Sequence, residues 1–454
     1  MSPEKLLLKN GVVVMMDSER RIIRDGYVLV EGDRIADVGR MGELREKADM
    51  VLDVRGGFIM PGLICGHTHL YGIALRGCML NIRPPTDFLE NLQRIWWPLD
   101  EVMENEDAYA TALAASMEFA LNGTTTFADT YSAPPRPEYS LDRIADGVNE
   151  VGIRGIISFE ATERRSVEEG RRGLDENIRF LRAGGRGRVR GMVSLHASFT
   201  ISDDLIGRGV EISNHYSAPI TIHVAEGPND QYHNLERFGR RTVERLEERG
   251  LLGPKTVLAH CVHLNMREIG LLRETGTHVA HNPMSNMLNA VGVMMLPEML
   301  SLGVNVCLGN DGYVFDMFEN MRCCYLLHRV DRRDPSVINP QTVVEMATIN
   351  AARAYGLHEL GSLEVGKKAD LIIVKPEVYA TPASGSVYGY IVNGLRGGDV
   401  ETVIVGGEVV VQNRRLTRLD KSVAEERVRR TIGRLWERLG ESPPEAVEPL
   451  RLVS

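Results

Sequence analysis

The stretch PGLICGHTHLYG, Pro61 to Gly72, decides how the fold is read. It continues an apolar β run through a Pro-Gly turn signal and ends in two histidines one residue apart, His67 and His69. On a strand, residues i and i+2 share a face, so both imidazoles point the same way. Alone, the pair reads either as two ligands of one ion or as two polar residues in a strand. The rest of the chain decides between these.

Seven more runs of the same kind follow. Together with FIMPGLICGHTH, the runs GTTTFADTY, RGIISFEAT, RGMVSLHAS, PITIHVAE, TVLAHCVHL, THVAHNP and VNVCLGNDG make eight, separated by helical patterns such as NEDAYATALAASMEFALNG and NLERFGRRTVERLEERG. Eight alternating units in about 300 residues predict an α/β fold, a (β/α)8 TIM barrel over residues 61–363. Short β segments with Gly and Asp turns precede it in residues 1–60 (LLLKNGVVVMMD, GYVLVEGDRIADVG, MVLDV) and return in residues 364–419 (ADLIIVK, VETVIVGGEVVVQNRRL). The two ends are expected to pair into one small β-sandwich domain. Residues 420–454 read as a charged amphipathic helix, KSVAEERVRRTIGRLWERLG, and a terminal arm, SPPEAVEPLRLVS. The helix is expected to cover a neighbouring subunit or its own barrel.

The net charge of −9 argues against a nucleic-acid binder, because neutralising phosphates needs basic surface, and a small-molecule partner is expected instead. No run is apolar and long enough to span a bilayer, and the first residues are too weakly apolar for a signal peptide. Six cysteines without C-x-x-C spacing fit a reducing compartment. A cytoplasmic, homo-oligomeric protein is the expectation. Arg outnumbers Lys 45 to 8, a bias that genome composition and heat adaptation explain equally.

In such a barrel the chemistry sits at the C-terminal ends of the strands. Run one ends in His67 and His69, run four near His196, run five at His223, run six at His260 and run eight at Asp311. His67, His69, His223 and Asp311 make a set of three imidazoles and one carboxylate suited to one divalent ion, zinc first and iron as an alternative. Glu226, three residues beyond His223, is placed to lean over the mouth and move protons. Between Lys47 and Lys255 there is no lysine, which excludes a lysine-bridged pair of metals on strands two to five. Glu160, which ends run three, stays open as a bridging ligand or a substrate contact. Asn282, Ser285 and Asn286 in HNPMSN are candidates for the pocket wall or for an Asn-Pro turn. Trp96 and Trp97 read as pocket wall or as packing under a loop, with packing preferred, and His215, His233, His328 and His358 are expected to be structural.

The motifs PGLICGHTH, HVAE, LAHCVHL, HNPMSN and LGNDG, in this order and at barrel spacing, resemble the amidohydrolase superfamily over essentially the whole chain. Within it the chain looks like the mononuclear deaminases and chlorohydrolases of N-heterocycles. The resemblance implies that His67, His69, His223 and Asp311 bind the metal, that Glu226 shuttles protons, and that His260 orients the attacking hydroxide or the substrate. WWPLD, LHASFT, HNPMSNMLNAVGV and GNDGYVFDMFE are similar to the SsnA-type aminohydrolases. Against the methylthioadenosine and S-adenosylhomocysteine deaminases, an aromatic that would stack on adenine falls at Asn91, and an arginine for a carboxylate or ribose falls at Phe159. Both departures point away from an adenosine-type substrate.

The expected reaction is hydrolytic deamination of an aminated purine, pterin, pyrimidine or triazine by metal-activated water. Glu226, His260 and Asp311 are the catalytic residues in this reading, and His196, Glu160 and Asn282 hold the heterocycle. Chloride displacement or cyclic-amide hydrolysis on the same site is the nearest alternative, since only the leaving group differs. A non-catalytic metal-binding scaffold is the alternative of another class. Its usual mark, a lost ligand or a lost acid-base carboxylate, is absent.

Overall fold

The computed structural model describes residues 4–441 apart from 79, 81 and 378–381. Eight parallel strands form the barrel: β1 (Leu63–Thr68), β2 (Thr124–Tyr131), β3 (Arg154–Ala161), β4 (Val193–Ala197), β5 (Ile220–Val224), β6 (Thr256–His260), β7 (His278–His281) and β8 (Val306–Leu308). Each lies in one of the eight apolar runs read from the sequence. The strands are hydrogen-bonded in sequence order, and the circle closes just past β8, where the N–H groups of Asn310 and Asp311 donate to the His67 carbonyl at 3.0 and 3.2 Å. Nearly every strand residue is buried, because helices cover the outer face and side chains fill the inner one; hence the continuous apolar text.

The two chain ends meet in one nine-stranded, mostly antiparallel sheet. Its order runs from Arg415–Leu416 through Glu408–Gln412, Val400–Val405, Leu371–Val374, Phe58–Pro61, Lys5–Val14 and Ile22–Glu31 to Arg34–Arg40, with Met50–Asp53 beside Lys5–Val14. The sheet closes over its own apolar core, in which Leu6, Val28 and Ile35 from one half meet Leu371, Ile373 and Ile404 from the other. Only Gly62 separates strand Phe58–Pro61 of this sheet from β1, which carries the first metal-type histidine. A Cβ on Gly62 would lie 2.2 Å from the Thr125 hydroxyl, so only glycine lets the two strands run on against β2.

The helix Asn105–Leu121 is alanine-rich and buried nearly all round, as the high helix propensity and small size of alanine allow. It is wedged between the barrel, the helix Ser140–Val151 and the C-terminal helix Lys421–Glu441. That last helix lies on its own barrel: the Trp436 indole N–H donates to the Ala74 carbonyl at 2.7 Å, and Arg438 pairs with Asp107. The arm SPPEAVEPLRLVS lies outside the described residues. The pattern NLERFGRRTVERLEERG is split into two helices, Pro228–Phe238 and Thr242–Glu248, because Gly239 takes a left-handed φ of 62° and caps the first. No helix among the described residues is long and apolar enough to cross a membrane.

Candidate active site

Ligand atoms of His67, His69, His223 and Asp311 all lie within 4.8 Å of one another. His67 is in β1 and His69 directly follows it; His223 is in β5; Asp311 follows β8, where chain closure brings it against β1. Asp311 Oδ1 stands 3.1 Å from His69 Nε2 and 3.6 Å from His67 Nε2, and the Nε2 atoms of His69 and His223 are 3.1 Å apart. Both of these rings donate Nδ1–H to a backbone carbonyl, His69 to Thr130 and His223 to His196, each at 2.8 Å. The carbonyls fix the tautomer and turn Nε2 inward, an outer-shell arrangement characteristic of metal ligands.

The donor set calls for positive charge at its centre. Burial, helped by charge on His69, pushes His223 down to about 4, so it stays neutral. Burial also opposes a charge on His69, but the hydrogen bond and charge of Asp311 prevail and push it up to about 10. A proton on His69 supplies one charge, yet leaves the buried His67 Nε2 without any partner. A divalent cation satisfies all four groups, and three imidazoles with one carboxylate are a zinc-type set.

Glu226 lies two residues past the end of β5. Ala225 between them takes a φ of 47°, and this left-handed turn breaks strand alternation and swings the carboxylate over the mouth. Glu226 Oε2 is 3.4 Å from His260 Nε2. Burial, reinforced by the charge of Asp311, pushes its carboxyl well above the usual range, as suits a group that must both take up and give back a proton. His260 is fully buried behind the cavity, its Nδ1 bonded to Asn286 Oδ1 at 2.8 Å, and burial lowers it to about 4. Ser285 donates to Asp311 Oδ2 at 2.5 Å. His260 and Asp311 take φ values of 72° and 58°, so each of these two strand ends carries a left-handed, strained backbone.

Above these groups opens a cavity with about 590 Å³ of empty space, the open solvent at its mouth included. Trp96, Trp97, Phe88, Leu92, Tyr71 and Phe199 make its apolar wall. The two tryptophans, expected under a loop, face the cavity because the helical segment widens into a π-turn at Leu92–Trp96. Glu160 and His196 line the cavity as expected. Asn282 does not: it is fully buried, with its amide nitrogen 3.3 Å from His260 Nε2, so it braces the imidazole and makes no wall. Asp100, Asp230 and Asn289 also line the cavity. Sequence reasoning passed over them because none ends a strand run: Asp100 lies in the helix Trp97–Val102, Asp230 in Pro228–Phe238, and Asn289 just past Pro283–Leu288.

His328 lies outside the cavity lining, fully buried, with Nε2 3.0 Å from His281 Nε2, and Cys324 lies beside the pair. Burial holds both rings neutral, so one ring donates to the other.

The amidohydrolase family model matches residues 58–410. The chain belongs to the amidohydrolase family. A 5'-deoxyadenosine deaminase of Methanosarcina mazei is 36% identical over 426 residues, covering 92% of this chain and 95% of that protein. A 5-methylthioadenosine/S-adenosylhomocysteine deaminase of Carboxydothermus hydrogenoformans is 33% identical over 424 residues, again 92% and 95%. Among solved structures, a zinc-bound adenosine deaminase from Xanthomonas campestris superposes with a TM-score of 0.85 at 23% identity, covering 95% of this chain and 98% of that one. A zinc-bound atrazine chlorohydrolase from Arthrobacter aurescens superposes with 0.82 at 23% identity, covering 95% and 100%. This amidohydrolase is accordingly a hydrolase of carbon–nitrogen bonds other than peptide bonds, of the deaminase kind.

Proposed function

We propose that this amidohydrolase deaminates an adenosine analogue altered at the 5' position, replacing the exocyclic amine by oxygen and releasing ammonia. The observation that carries the reading is the buried Glu226, set between His260 and Asp311 beside a four-ligand zinc-type centre, at the floor of a cavity walled by aromatic rings. A single cation, held by His67, His69, His223 and Asp311, would lower the pKa of a water molecule and so make the nucleophile available at neutral pH. Glu160 supports a mononuclear site: it approaches His223 at Nδ1, 3.2 Å away, on the edge of the ring turned from the other ligands.

The chain's own groups carry the protons. Glu226 takes one proton from the attacking water and gives it to the ring nitrogen next to the carbon under attack. Asp311 takes the second, which leaves with the amine as ammonia. The carbon–oxygen bond forms as the ring nitrogen takes the first proton, and the carbon–nitrogen bond then breaks as the second proton reaches the amine, so atoms balance without a further reactant. His260, neutral and fixed by Asn286 and Asn282, turns Nε2 toward Glu226 as an acceptor and orients the attacking water. The aromatic walls suit a stacked purine. His196 and Glu160 are left to hold its polar edges.

The relatives' names bring adenosine analogues forward, although Asn91 and Phe159 stand where the sequence predicted other contacts. The cavity supports a narrower choice. Its lining includes Asp100, Glu160, Glu226, Asp230 and Asp311 and, among the described residues, neither lysine nor arginine, so a neutral 5' group, deoxy or methylthio, fits it better than one bearing a carboxylate.

The test is metal analysis of the purified protein together with ammonia release from 5'-deoxyadenosine, 5'-methylthioadenosine, S-adenosylhomocysteine, and representative pterins, pyrimidines and triazines. About one zinc per chain and ammonia from the neutral adenosine analogues are expected. A metal-loaded Glu226→Gln variant should lose on the order of a thousandfold in kcat, within the span of general acid-base catalysis. Near wild-type turnover in that variant, or chloride release in place of ammonia, would sink the reading.

A further inference from the structure

Asn289, which lines the cavity at the end of the helix Pro283–Leu288, sits at the junction of four hydrogen bonds. Its Oδ1 accepts from Asn91 Nδ2 at 2.8 Å and from the Tyr313 hydroxyl at 3.1 Å. Its Nδ2 faces Glu226 Oε1 at 3.4 Å and Ser285 Oγ at 3.3 Å. An amide has two acceptor sites and two N–H groups, so no capacity is left over.

The direction of these bonds is fixed from outside. An indole N–H can only donate, and Trp96 Nε1 gives its hydrogen to the Tyr313 oxygen at 3.2 Å. Tyr313 therefore sends its own hydrogen on to Asn289 Oδ1. That turns the amide nitrogen toward Glu226 and toward Ser285, whose hydroxyl hydrogen goes to Asp311. The polarity of one indole on the cavity wall is thus passed through Tyr313 and Asn289 to both catalytic carboxylates.

We infer that Asn289 is a positioning residue for Glu226: its N–H occupies Oε1, so that Oε2, the oxygen facing His260, is the one that carries the proton to and from the substrate. Asn91 belongs to the same device. The position where an adenine-stacking aromatic was expected holds instead the amide that clamps Asn289 from the wall.

The inference rests on the deaminase reading for its kinetic arm only. On 5'-deoxyadenosine, Asn289→Leu is expected to lower kcat by about 10- to 100-fold with KM changed less than about threefold, and with metal content and Tm retained. Asn289→Asp, equal in size but offering oxygen where Glu226 needs N–H, should lose at least as much. Asn289→Leu added to Glu226→Gln should cost nothing further, because its effect runs through Glu226. Independent, multiplying losses, or a kcat kept within about threefold in Asn289→Leu, would overturn the assignment. The second arm needs no substrate. Crystals of wild type should show one Glu226 conformer with Oε1 toward Asn289, and crystals of Asn289→Leu a turned or divided carboxylate. An unmoved Glu226 in the variant overturns the inference, whereas a wild type inert toward every adenosine analogue overturns the substrate reading and leaves this arm standing.

Discussion

At the scale of single residues, burial sets the chemistry before any ligand arrives. His223, His260 and His328 are all held near 4 by loss of solvent, and each is neutral in the folded chain at physiological pH. For His328 this has a measurable consequence apart from the metal centre. A histidine whose folded pKa is depressed adds stability that is complete above its ordinary value of 6.5 and is lost as pH falls from there toward 4, since only the unfolded chain takes up the proton. By pH 5 the loss is about 2 kcal/mol. Chemical denaturation at pH 7 and pH 5 should therefore show a smaller pH-dependent drop in His328→Gln than in wild type. Equal drops would mean that His328 is protonated in the native state or carries no such shift. The metal-type residues were legible in the sequence because each closes an apolar run at a strand end. Asn289 was not, since its role depends on the direction of hydrogen bonds that only three-dimensional neighbours define.

At the scale of elements, strands and helices differed in legibility. All eight barrel strands showed themselves as apolar runs because both faces of each are buried. The break at Gly239 was missed because the charges on either side keep helical spacing through it. Trp96 and Trp97 were assigned to packing because a helical pattern does not reveal a π-turn, which rotates the side chains beyond it about the helix axis. The C-terminal helix was legible as amphipathic, but not in what it covers. It packs with Ala424, Val428, Leu435 and Leu439 buried, and Trp436 ties it to the segment that directly follows His69. Leu435 is fully buried, and Leu435→Ala should cost about 2–5 kcal/mol, the range for emptying such a site. Trp436→Phe keeps an aromatic side chain there and removes the hydrogen bond to Ala74, so it should cost only about 1 kcal/mol. If the helix were a loosely attached appendage, Leu435→Ala would leave the main unfolding transition within about 0.5 kcal/mol of wild type.

For the whole molecule, the question is how a sheet made from both chain ends holds a barrel whose chemistry lies at the opposite end. Arg154 opens β3 at the N-terminal rim of the barrel, and Asp370 immediately precedes the sheet strand Leu371–Val374. Their side chains meet in a two-pronged pair, Nε to Oδ2 at 2.7 Å and Nη2 to Oδ1 at 3.0 Å, and the Gly406 N–H also donates to Asp370 at 2.7 Å. The Asp370 side chain is only 3% exposed, so its charge depends on these donors. Arg154→Ala would strand a buried carboxylate and should cost about 3–5 kcal/mol, the range for removing one partner of a buried pair. Asp370→Asn added to Arg154→Ala should recover part of that loss, because the stranded charge is gone while the Gly406 hydrogen bond is kept. The lower rim of such barrels serves stability and the upper rim catalysis, so kcat of the folded variants should stay within about twofold of wild type. Denaturation curves and turnover measured on the same preparations separate the two effects. A loss below about 0.5 kcal/mol in Arg154→Ala would show that the joint is held by strand Phe58–Pro61 running through Gly62 into β1 without help from the ion pair.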